Sequence, residues 1–193
     1  MEKLIGSKSN IAVFISGRGT NLKSLIKKSR PKNSLFKIKL VISNNSKAKG
    51  LIYAKKNKIK SHVFEQKDLS SFENKVLKIL KNSKIDMICL AGFMKILSKF
   101  FIKEFGNPIL NIHPSLLPKY KGLNTHYRVL QNKEKYSGST VHIVSPKLDS
   151  GKIILQKKVK ISRTDNLKTL EKKVLKIEHK IYNEAICKFL TNL

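Results

Sequence analysis

The sequence has little cysteine and no long hydrophobic run, and each shortage argues against a class of protein. The two cysteines, Cys89 and Cys187, lie in apolar segments without metal-ligand spacing, so we expect buried free thiols in a reducing cytoplasm. The apolar runs are shorter than the roughly 18 residues that a membrane helix requires. The amino terminus lacks the apolar region and cleavage site of a secretory signal. We therefore expect a single cytoplasmic domain over residues 1–193.

Acidic residues are also scarce, since 12 Asp and Glu face 41 Lys and Arg and the formal charge is +29. Such a charge is typical of proteins that bind nucleic acid, anionic membranes or phosphorylated substrates. However, only four of the basic residues are arginine, and the lysines are distributed along nearly every segment. Proteins that read bases favour the bidentate fork of arginine and cluster their charge. The pattern therefore favours a lysine-rich composition over a specific nucleic-acid or membrane partner.

Apolar runs rich in β-branched residues alternate with segments of helical periodicity through most of the chain. This alternation predicts an α/β fold with a mostly parallel twisted sheet and helices on both faces. Near the carboxyl end, predicted strands at 139–144 and 153–161 lie too close together for a crossover helix, so the sheet is expected to become antiparallel there. The earlier predicted strands cover 10–16, 36–43, 61–65, 85–91 and the run that ends at His113.

Two helices are predicted from local signals. Ser70-Ser-Phe-Glu73 has the pattern of a capping box, which predicts the start of a helix that runs through Leu77 and Leu80. The last helix, predicted from Asn166 to about Leu190, has an apolar stripe that should pack on the sheet. The stripe consists of Leu167, Leu170, Val174, Ile177, Ile181 and Phe189.

A glycine-rich turn, Gly17-Arg-Gly-Thr-Asn21, joins the first predicted strand to the first predicted helix. Backbone N–H groups at the start of a helix form a ready site for an anion. The turn has neither the third glycine of a dinucleotide fingerprint nor the pattern of a Walker A loop. It is either an anion site or a tight turn that uses glycine for its positive φ.

The segment 107–122 contains an amide and an imidazole two positions apart, Asn111 and His113, followed by two prolines. Side chains alternate along a strand, so both should project from one face at the carboxyl end of a strand, where open α/β sheets bind ligands. An Asn donor beside a His can stabilise a carbonyl oxygen that becomes anionic during acyl transfer. A carboxylate such as Asp149 near the imidazole would favour its charged form. The alternative is structural, because Asn and His at strand ends often only bond the backbone.

Three segments together, 90–97, 107–122 and Ser137 to His142, resemble the folate-dependent formyltransferases, and most closely the short members that act in purine synthesis. The resemblance runs from about Ile11 to about Phe189 and implies the formyltransferase variant of a Rossmann-like fold. It implies transfer of the formyl group of 10-formyltetrahydrofolate to the amine of 5′-phosphoribosylglycinamide through a tetrahedral oxyanion. Both substrates are small molecules, no metal is implied, and the protein would be a monomer or homodimer.

The resemblance also assigns residues. The catalytic residues implied are Asn111, His113 and Asp149, and the phosphoribosyl group is assigned to Gly19, Thr20, Asn21 and Glu178. The folate site implied consists of Met94, Lys95, Ile96, Leu97, Asn111, Ser145, Pro146, Lys147, Leu148 and Asp149, with Lys67 and His142 as secondary candidates. From the residues alone, His142 could be a core histidine and Glu178 could flank the apolar face of the last helix.

The sequence departs from the family at Lys121-Gly-Leu-Asn124, which lacks the proline and the histidine often found there, so the rigidity of this loop is in question. Leu175 also stands where a polar substrate contact is expected. Methionyl-tRNA formyltransferase and formyltetrahydrofolate hydrolase are the alternatives among enzymes, and both carry an additional domain. A basic RNA-associated module without catalysis is the alternative from another class, and the Asn111, His113 and Asp149 set argues against it.

Overall fold

The computed structural model describes residues 8–65 and 68–192, which form two compact units, one up to Ile109 and one from Leu110 onward. The strands within these ranges are β1 (Ser9–Ile15), β2 (Phe36–Ser43), β3 (Lys60–Val63), β4 (Met87–Leu90), β5 (Ile109–His113), β6 (Tyr136–Ile143) and β7 (Ile153–Lys160). The helices are α1 (Thr20–Ser29), α2 (Gly50–Lys56), α3 (Leu69–Asn82), α4 (Lys99–Phe105), α5 (Thr125–Gln131) and α6 (Leu167–Thr191).

The first unit contains a parallel sheet with the strand order β3, β2, β1, β4. A helix follows each of these strands along the chain, as expected for βαβ connections. All of β4 and nearly all of β1 are buried. Burial on both faces explains why these two strands read as continuous apolar runs and not as an alternating pattern.

The second unit contains antiparallel strands, with β6 between β5 and β7. Residues 144–152 join β6 to β7 without a helix, so the predicted change from parallel to antiparallel pairing is confirmed, and with it the α/β fold class. Helix α6 packs on β6 and β7. The Tyr182 hydroxyl on this helix donates a hydrogen bond to the carbonyl oxygen of Leu110 at 3.1 Å, which ties α6 to β5.

The predicted capping box at Ser70-Ser-Phe-Glu73 is wrong. Helix α3 begins one residue earlier, and Asp68 is its N-cap, with its carboxylate accepting from the Ser71 amide at 2.6 Å. The Glu73 carboxylate instead accepts from the amide and hydroxyl of Ser98, the N-cap of α4, at 2.7 and 2.5 Å. A tertiary contact with two donors therefore replaces the local bond that the motif predicted.

The apolar stripe of α6 is only partly as predicted. Leu170, Val174 and Ile181 are fully buried, whereas Leu167 in the first turn is 49% exposed. The real N-terminal signal is Asn166, whose side chain and that of Thr169 bond each other's backbone amides reciprocally. Helix α5 was not predicted at all, because its seven residues are too few to show a helical period.

Two of the composition-based predictions can be placed in the structure. Both cysteines are free; Cys89 is buried as predicted, but Cys187 is only partly buried. Among residues 8–65 and 68–192, no helix is both long enough and apolar enough to cross a bilayer.

Candidate active site

The register of β5 and β6 places the central polar side chains of the second unit together. Asn111 on β5 lies directly opposite His142 on β6, and His113 lies opposite Thr140. Residues that face each other across antiparallel strands project on the same side of the sheet. The amide nitrogen of Asn111 is 3.2 Å from Nε2 of His142. The predicted shared face of Asn111 and His113 therefore also carries His142.

Asp149 reaches the same cluster from the turn between β6 and β7. One carboxylate oxygen lies 3.4 Å from Nδ1 of His113, and the other lies 3.6 Å from Nε2 of His142. The backbone of Asp149 is left-handed, with φ of 45°, which is uncommon for a residue other than glycine. The turn thus adopts a costly conformation at the residue whose carboxylate meets both imidazoles.

The loop after β5 supplies two backbone contacts to the cluster. Nε2 of His113 lies 2.8 Å from the carbonyl oxygen of Tyr120, and because a carbonyl only accepts, Nε2 must carry the proton. The amide of Gly122 donates to the Asp149 carboxylate at 2.8 Å. The loop therefore selects the tautomer of His113 and orients Asp149.

His142 is almost fully buried, at 2% exposure, and its two ring nitrogens have different roles. Nδ1 lies 3.0 Å from the carbonyl oxygen of Ile143 and must donate to it. In the neutral ring Nε2 is then an acceptor, which receives the hydrogen bond from the Asn111 amide. This bond uses one N–H of Asn111 and leaves its second N–H for another acceptor.

Burial is the main influence on the titration of His113. It lowers the pKa of His113 below the ordinary value, although the hydrogen bond to Tyr120 and the charge of Asp149 act to raise it. The predicted effect of Asp149, which favours the charged imidazole, is therefore present but smaller than the effect of burial.

Asp149 remains ionised at neutral pH. Burial acts to raise the pKa of Asp149, but a hydrogen bond from a protonated His142 ring, the Gly122 amide and positive charge on His113 act to lower it, and the pKa lies below the ordinary value. Of these groups, the Gly122 amide is a donor in every protonation state of the cluster. Nδ1 of a neutral His113 is unprotonated and faces this carboxylate. The pair is thus arranged to hold one additional proton between a nitrogen and an oxygen.

The glycine turn of the first unit, residues 17–21, places Gly19 as the N-cap of α1, with φ of 68° and no side-chain cap. A Cβ at Gly19 would overlap Cα of Gly50, and the Gly50 amide donates to the carbonyl oxygen of Gly17 at 3.0 Å. No acidic residue occupies the first turn of α1. Gly19 therefore has the positive φ of a tight turn, which is one of the two interpretations of the sequence. The start of α1, without a side-chain cap or an acidic residue, is compatible with the other, and the anion site stays a prediction.

The segment after β4 is held against the end of β1 by Ser16. The Ser16 hydroxyl accepts from the Met94 amide at 2.8 Å and donates to the side-chain oxygen of Asn44 at 2.6 Å. The side chains of Met94 and Ile96 are 66% and 64% exposed, whereas Leu97 is buried. The ammonium of Lys95 lies 5.1 Å from the centre of the Phe72 ring. An exposed apolar pair beside an ordered backbone is suited to contact a flat apolar ligand.

The remaining predicted residues lie as follows. Glu178 is buried, at 8% exposure, so it lies on the packed face of α6 and not on its flank. Ser145 is partly buried, whereas Pro146, Lys147 and Leu148 are exposed on the turn that carries Asp149. Lys67 lies outside the described residues. In the part of the chain that the structure describes, no group of three or more His, Cys, Asp or Glu could hold a metal ion.

Sequence reasoning missed the contribution of the loop after β5. Tyr120 and Gly122 act through a carbonyl and an amide, and every residue has such groups. The left-handed φ of Tyr120, 57°, has no signal in the sequence, since tyrosine is not a residue that favours it. Only Gly122, with φ of 76°, could have indicated a sharp turn at this point.

Comparisons with known proteins show the family to which the chain belongs. The formyl transferase family model matches residues 9–186. Phosphoribosylglycinamide formyltransferase from Haemophilus influenzae is 42% identical over 175 residues, which cover 89% of this chain and 82% of that protein. The crystal structure of phosphoribosylglycinamide formyltransferase from Brucella melitensis superimposes with a TM-score of 0.90 and 38% identity, covering 95% of this chain and 96% of that one.

A further group of relatives is much longer. The trifunctional purine biosynthetic protein adenosine-3 of Bos taurus is 42% identical over 182 residues, but the chain spans only 18% of its length. The predicted resemblance is nevertheless confirmed, because the family model covers most of the chain. With its Asn, His and Asp side chains assembled on one sheet face, this chain belongs to the formyl transferase family.

Proposed function

We propose that this protein transfers the formyl group of 10-formyltetrahydrofolate to the amine of 5′-phosphoribosylglycinamide, the formyl-transfer step of purine synthesis. The observation that carries the proposal is the convergence of Asn111, His113 and Asp149, which come from the end of one strand and from a turn. Residues 1–193 would act as one catalytic domain in the cytoplasm, as a monomer or a homodimer. The partners are the two small substrates, without a specific nucleic acid or a membrane.

In this proposal Asn111 stabilises the oxyanion. When the amine attacks the formyl carbon, the carbonyl oxygen becomes negative and requires a donor that is already in place. The bond from Asn111 to His142 fixes the amide plane, so its second N–H has a defined direction. His142 would thus act on the reaction through Asn111.

His113 would supply the second donor through Nε2–H. In the present structure this proton is bonded to the Tyr120 carbonyl, a neutral acceptor. A charged oxygen is a stronger acceptor, so the developing oxyanion can compete for the same proton. The imidazole would therefore move its hydrogen bond from Tyr120 to the intermediate as negative charge develops.

Asp149 would help to transfer the proton that the attacking amine must lose. Its carboxylate is ionised because its pKa is lowered, and it faces Nδ1 of His113. The pair can take up the amine proton and return it, directly or through water, to the nitrogen of the departing tetrahydrofolate. In this scheme the N–C bond to glycinamide forms, the N–C bond to folate breaks and no net proton is gained by the enzyme.

The substrate phosphate would bind the backbone at Gly19, Thr20 and Asn21, because the N-terminus of α1 carries no side-chain cap and no acidic residue in its first turn. Glu178 would accept hydrogen bonds from the ribose or the amide. Its burial means that such a contact would be made with little competition from water.

Two segments are proposed for the folate. The first is Met94, Lys95, Ile96 and Leu97, where exposed apolar side chains accompany an anchored backbone. The second is the turn of Ser145, Pro146, Lys147, Leu148 and Asp149. Lys67 is proposed to bind the acidic tail of folate, because its side chain is positively charged.

One assay tests the proposal. The purified protein is incubated with 10-formyltetrahydrofolate and with phosphoribosylglycinamide, charged initiator tRNA or water alone, and loss of the formyl group is followed. We expect rapid turnover only with phosphoribosylglycinamide. Equally rapid hydrolysis without an acceptor, or transfer to the tRNA, would contradict the proposed function.

A further inference from the structure

The segment Tyr120–Leu123 contributes backbone groups to the cluster. The Tyr120 carbonyl accepts from His113 and the Gly122 amide donates to Asp149, both at 2.8 Å. A displacement of this segment by 1 Å would lengthen both bonds together. The geometry of both side chains therefore depends on how rigidly the segment is held.

Local preference explains this shape only in part. Gly122, with φ of 76°, and Asn124 just after the segment, with φ of 55°, are residue types that tolerate a left-handed backbone, but Tyr120, with φ of 57°, is not. Such a conformation costs a residue other than glycine roughly 1–2 kcal/mol. The family proline is absent, since Lys121 stands in its place, so contacts from outside the segment must fix it.

Arg128 on α5 makes these contacts. Its Nη1 donates to the carbonyl oxygen of Lys121 at 2.6 Å and lies 3.4 Å from that of Leu123. Its guanidinium carbon is 5.4 Å from the centre of the Tyr120 ring. One planar side chain thus contacts three of the four residues in the segment Tyr120–Leu123.

Other contacts hold the ends of the segment. The Tyr120 hydroxyl donates to Glu134 at 2.8 Å and accepts from the Asn132 amide at 2.9 Å. The Lys121 ammonium donates to the Ser150 hydroxyl, next to Asp149, at 2.5 Å. These bonds fix side chains, whereas Arg128 bonds the carbonyls on either side of Gly122.

We propose that Arg128 is a positioning residue, which holds the segment Tyr120–Leu123 so that its backbone fixes the tautomer of His113 and the orientation of Asp149. The proposal rests on the catalytic roles proposed above for those two residues. Arg128 would act on turnover mainly through the loop, although its charge also acts to lower the pKa of His113.

The test compares Arg128→Gln and Arg128→Lys with the matched control Arg163→Gln, which removes the same charge from an exposed turn of the same unit. We expect Arg128→Gln to lower kcat by about 10- to 100-fold, the size of effect that a small misplacement of catalytic groups produces. The KM for phosphoribosylglycinamide should change little. Arg128→Lys should recover little activity, because an ammonium keeps the charge but lacks the planar guanidinium that stacks on the Tyr120 ring while it bonds the two carbonyls.

The second readout is the tautomer of His113, measured from the ¹⁵N shifts of its labelled imidazole at neutral pH. In the wild type and in Arg163→Gln, the proton should reside on Nε2. In Arg128→Gln the Tyr120 acceptor is no longer fixed, so both tautomers should be populated. A merely structural role would lower the melting temperature without this change. Tyr120→Phe, which loses the bond to Glu134 but keeps the ring, should give a smaller change in the same direction.

Normal kcat in Arg128→Gln, full recovery by lysine, or an unchanged His113 tautomer would each overturn the inference. The proposed function is tested separately by His113→Gln. If that variant turns over normally, the catalytic role of His113 is wrong whatever Arg128 does. If His113→Gln is inactive while Arg128→Gln is normal, only the positioning role is lost.

Discussion

The two regions to which substrate binding and chemistry are assigned are built in opposite ways. The glycine turn uses five consecutive residues, Gly17 to Asn21, and its binding groups are backbone amides at a helix start. The cluster of Asn111, His113, His142 and Asp149 uses side chains from three segments, up to 38 positions apart in the sequence (149 − 111). A turn of the first kind is specified locally, whereas a cluster of the second kind exists only after the chain has folded.

The difference also affects how each region responds to pH and to substitution. The cluster contains groups whose pKa is shifted by burial and by each other, so its chemistry depends on protonation. The glycine turn is proposed to bind through amides, which do not titrate, so its binding should depend mainly on backbone shape. Substitutions in the cluster should therefore lower kcat, whereas substitutions in the glycine turn should mainly raise KM.

The largest effect is expected in the cluster, from Asp149→Asn. The amide keeps the shape of the carboxylate but cannot take up the amine proton, so kcat should fall by about 10²- to 10⁴-fold with KM nearly unchanged. Steady-state formyl transfer measures both constants. Asp165→Asn is the control, because it removes a carboxylate that pairs with Lys173 in the same unit. An Asp149 variant with near-normal kcat would remove this residue from the mechanism.

Asn111→Leu should have the next largest effect. Leucine has a similar volume but no donor, so kcat should fall by about 10²- to 10³-fold, as it does when one oxyanion donor is lost. Circular dichroism should show an intact fold. If kcat is retained while KM rises, Asn111 binds the ground state only, and its assignment to the oxyanion fails.

Gly19→Ala tests the other side of the comparison. The new Cβ would meet Cα of Gly50 and would impose a left-handed φ on alanine, so KM for phosphoribosylglycinamide should rise more than kcat falls. Gly106→Ala is the matched control, because Gly106 has a φ of 67° with only an ordinary contact nearby. The control should cost roughly 1–2 kcal/mol of unfolding free energy without a kinetic change. Equal kinetics in both variants would argue against the anion site.

The smallest effect is on stability as a function of pH. His62, His113 and His126 each have a lowered pKa, with burial as the largest cause. The unfolded chain then binds protons before the folded chain does, so the stabilisation is complete above the ordinary histidine pKa and is lost as the pH falls through the folded values. The free energy of unfolding in urea should thus decrease from about pH 7.5 to about pH 5.5. His113→Gln should flatten this dependence, and an equally steep dependence in that variant would contradict the assignment.

Much of the fold was predicted from patterns in the sequence. The predictions that differ from the structure concern residues whose behaviour depends on contacts between distant segments. The parallel and antiparallel regions were predicted because strands buried on both faces are continuous apolar runs in the sequence, and because the number of residues between two strands shows whether a crossover helix fits. The capping box at Ser70 failed because Glu73 finds two donors on Ser98. At His113 the predicted influence of Asp149 has the expected direction, but burial, which the sequence does not show, has the larger effect on the pKa.

By itself, the sequence determined the α/β class, the glycine turn at a helix start and the residue types available for formyl transfer, because periodicity and local turn chemistry act over a few residues. The tertiary structure alone decided that Asp149 meets both His113 and His142, and that Tyr120 supplies a carbonyl to His113. Strand register and left-handed turns fix these contacts. Both depend on packing between distant segments, which a pattern of neighbouring residues does not record.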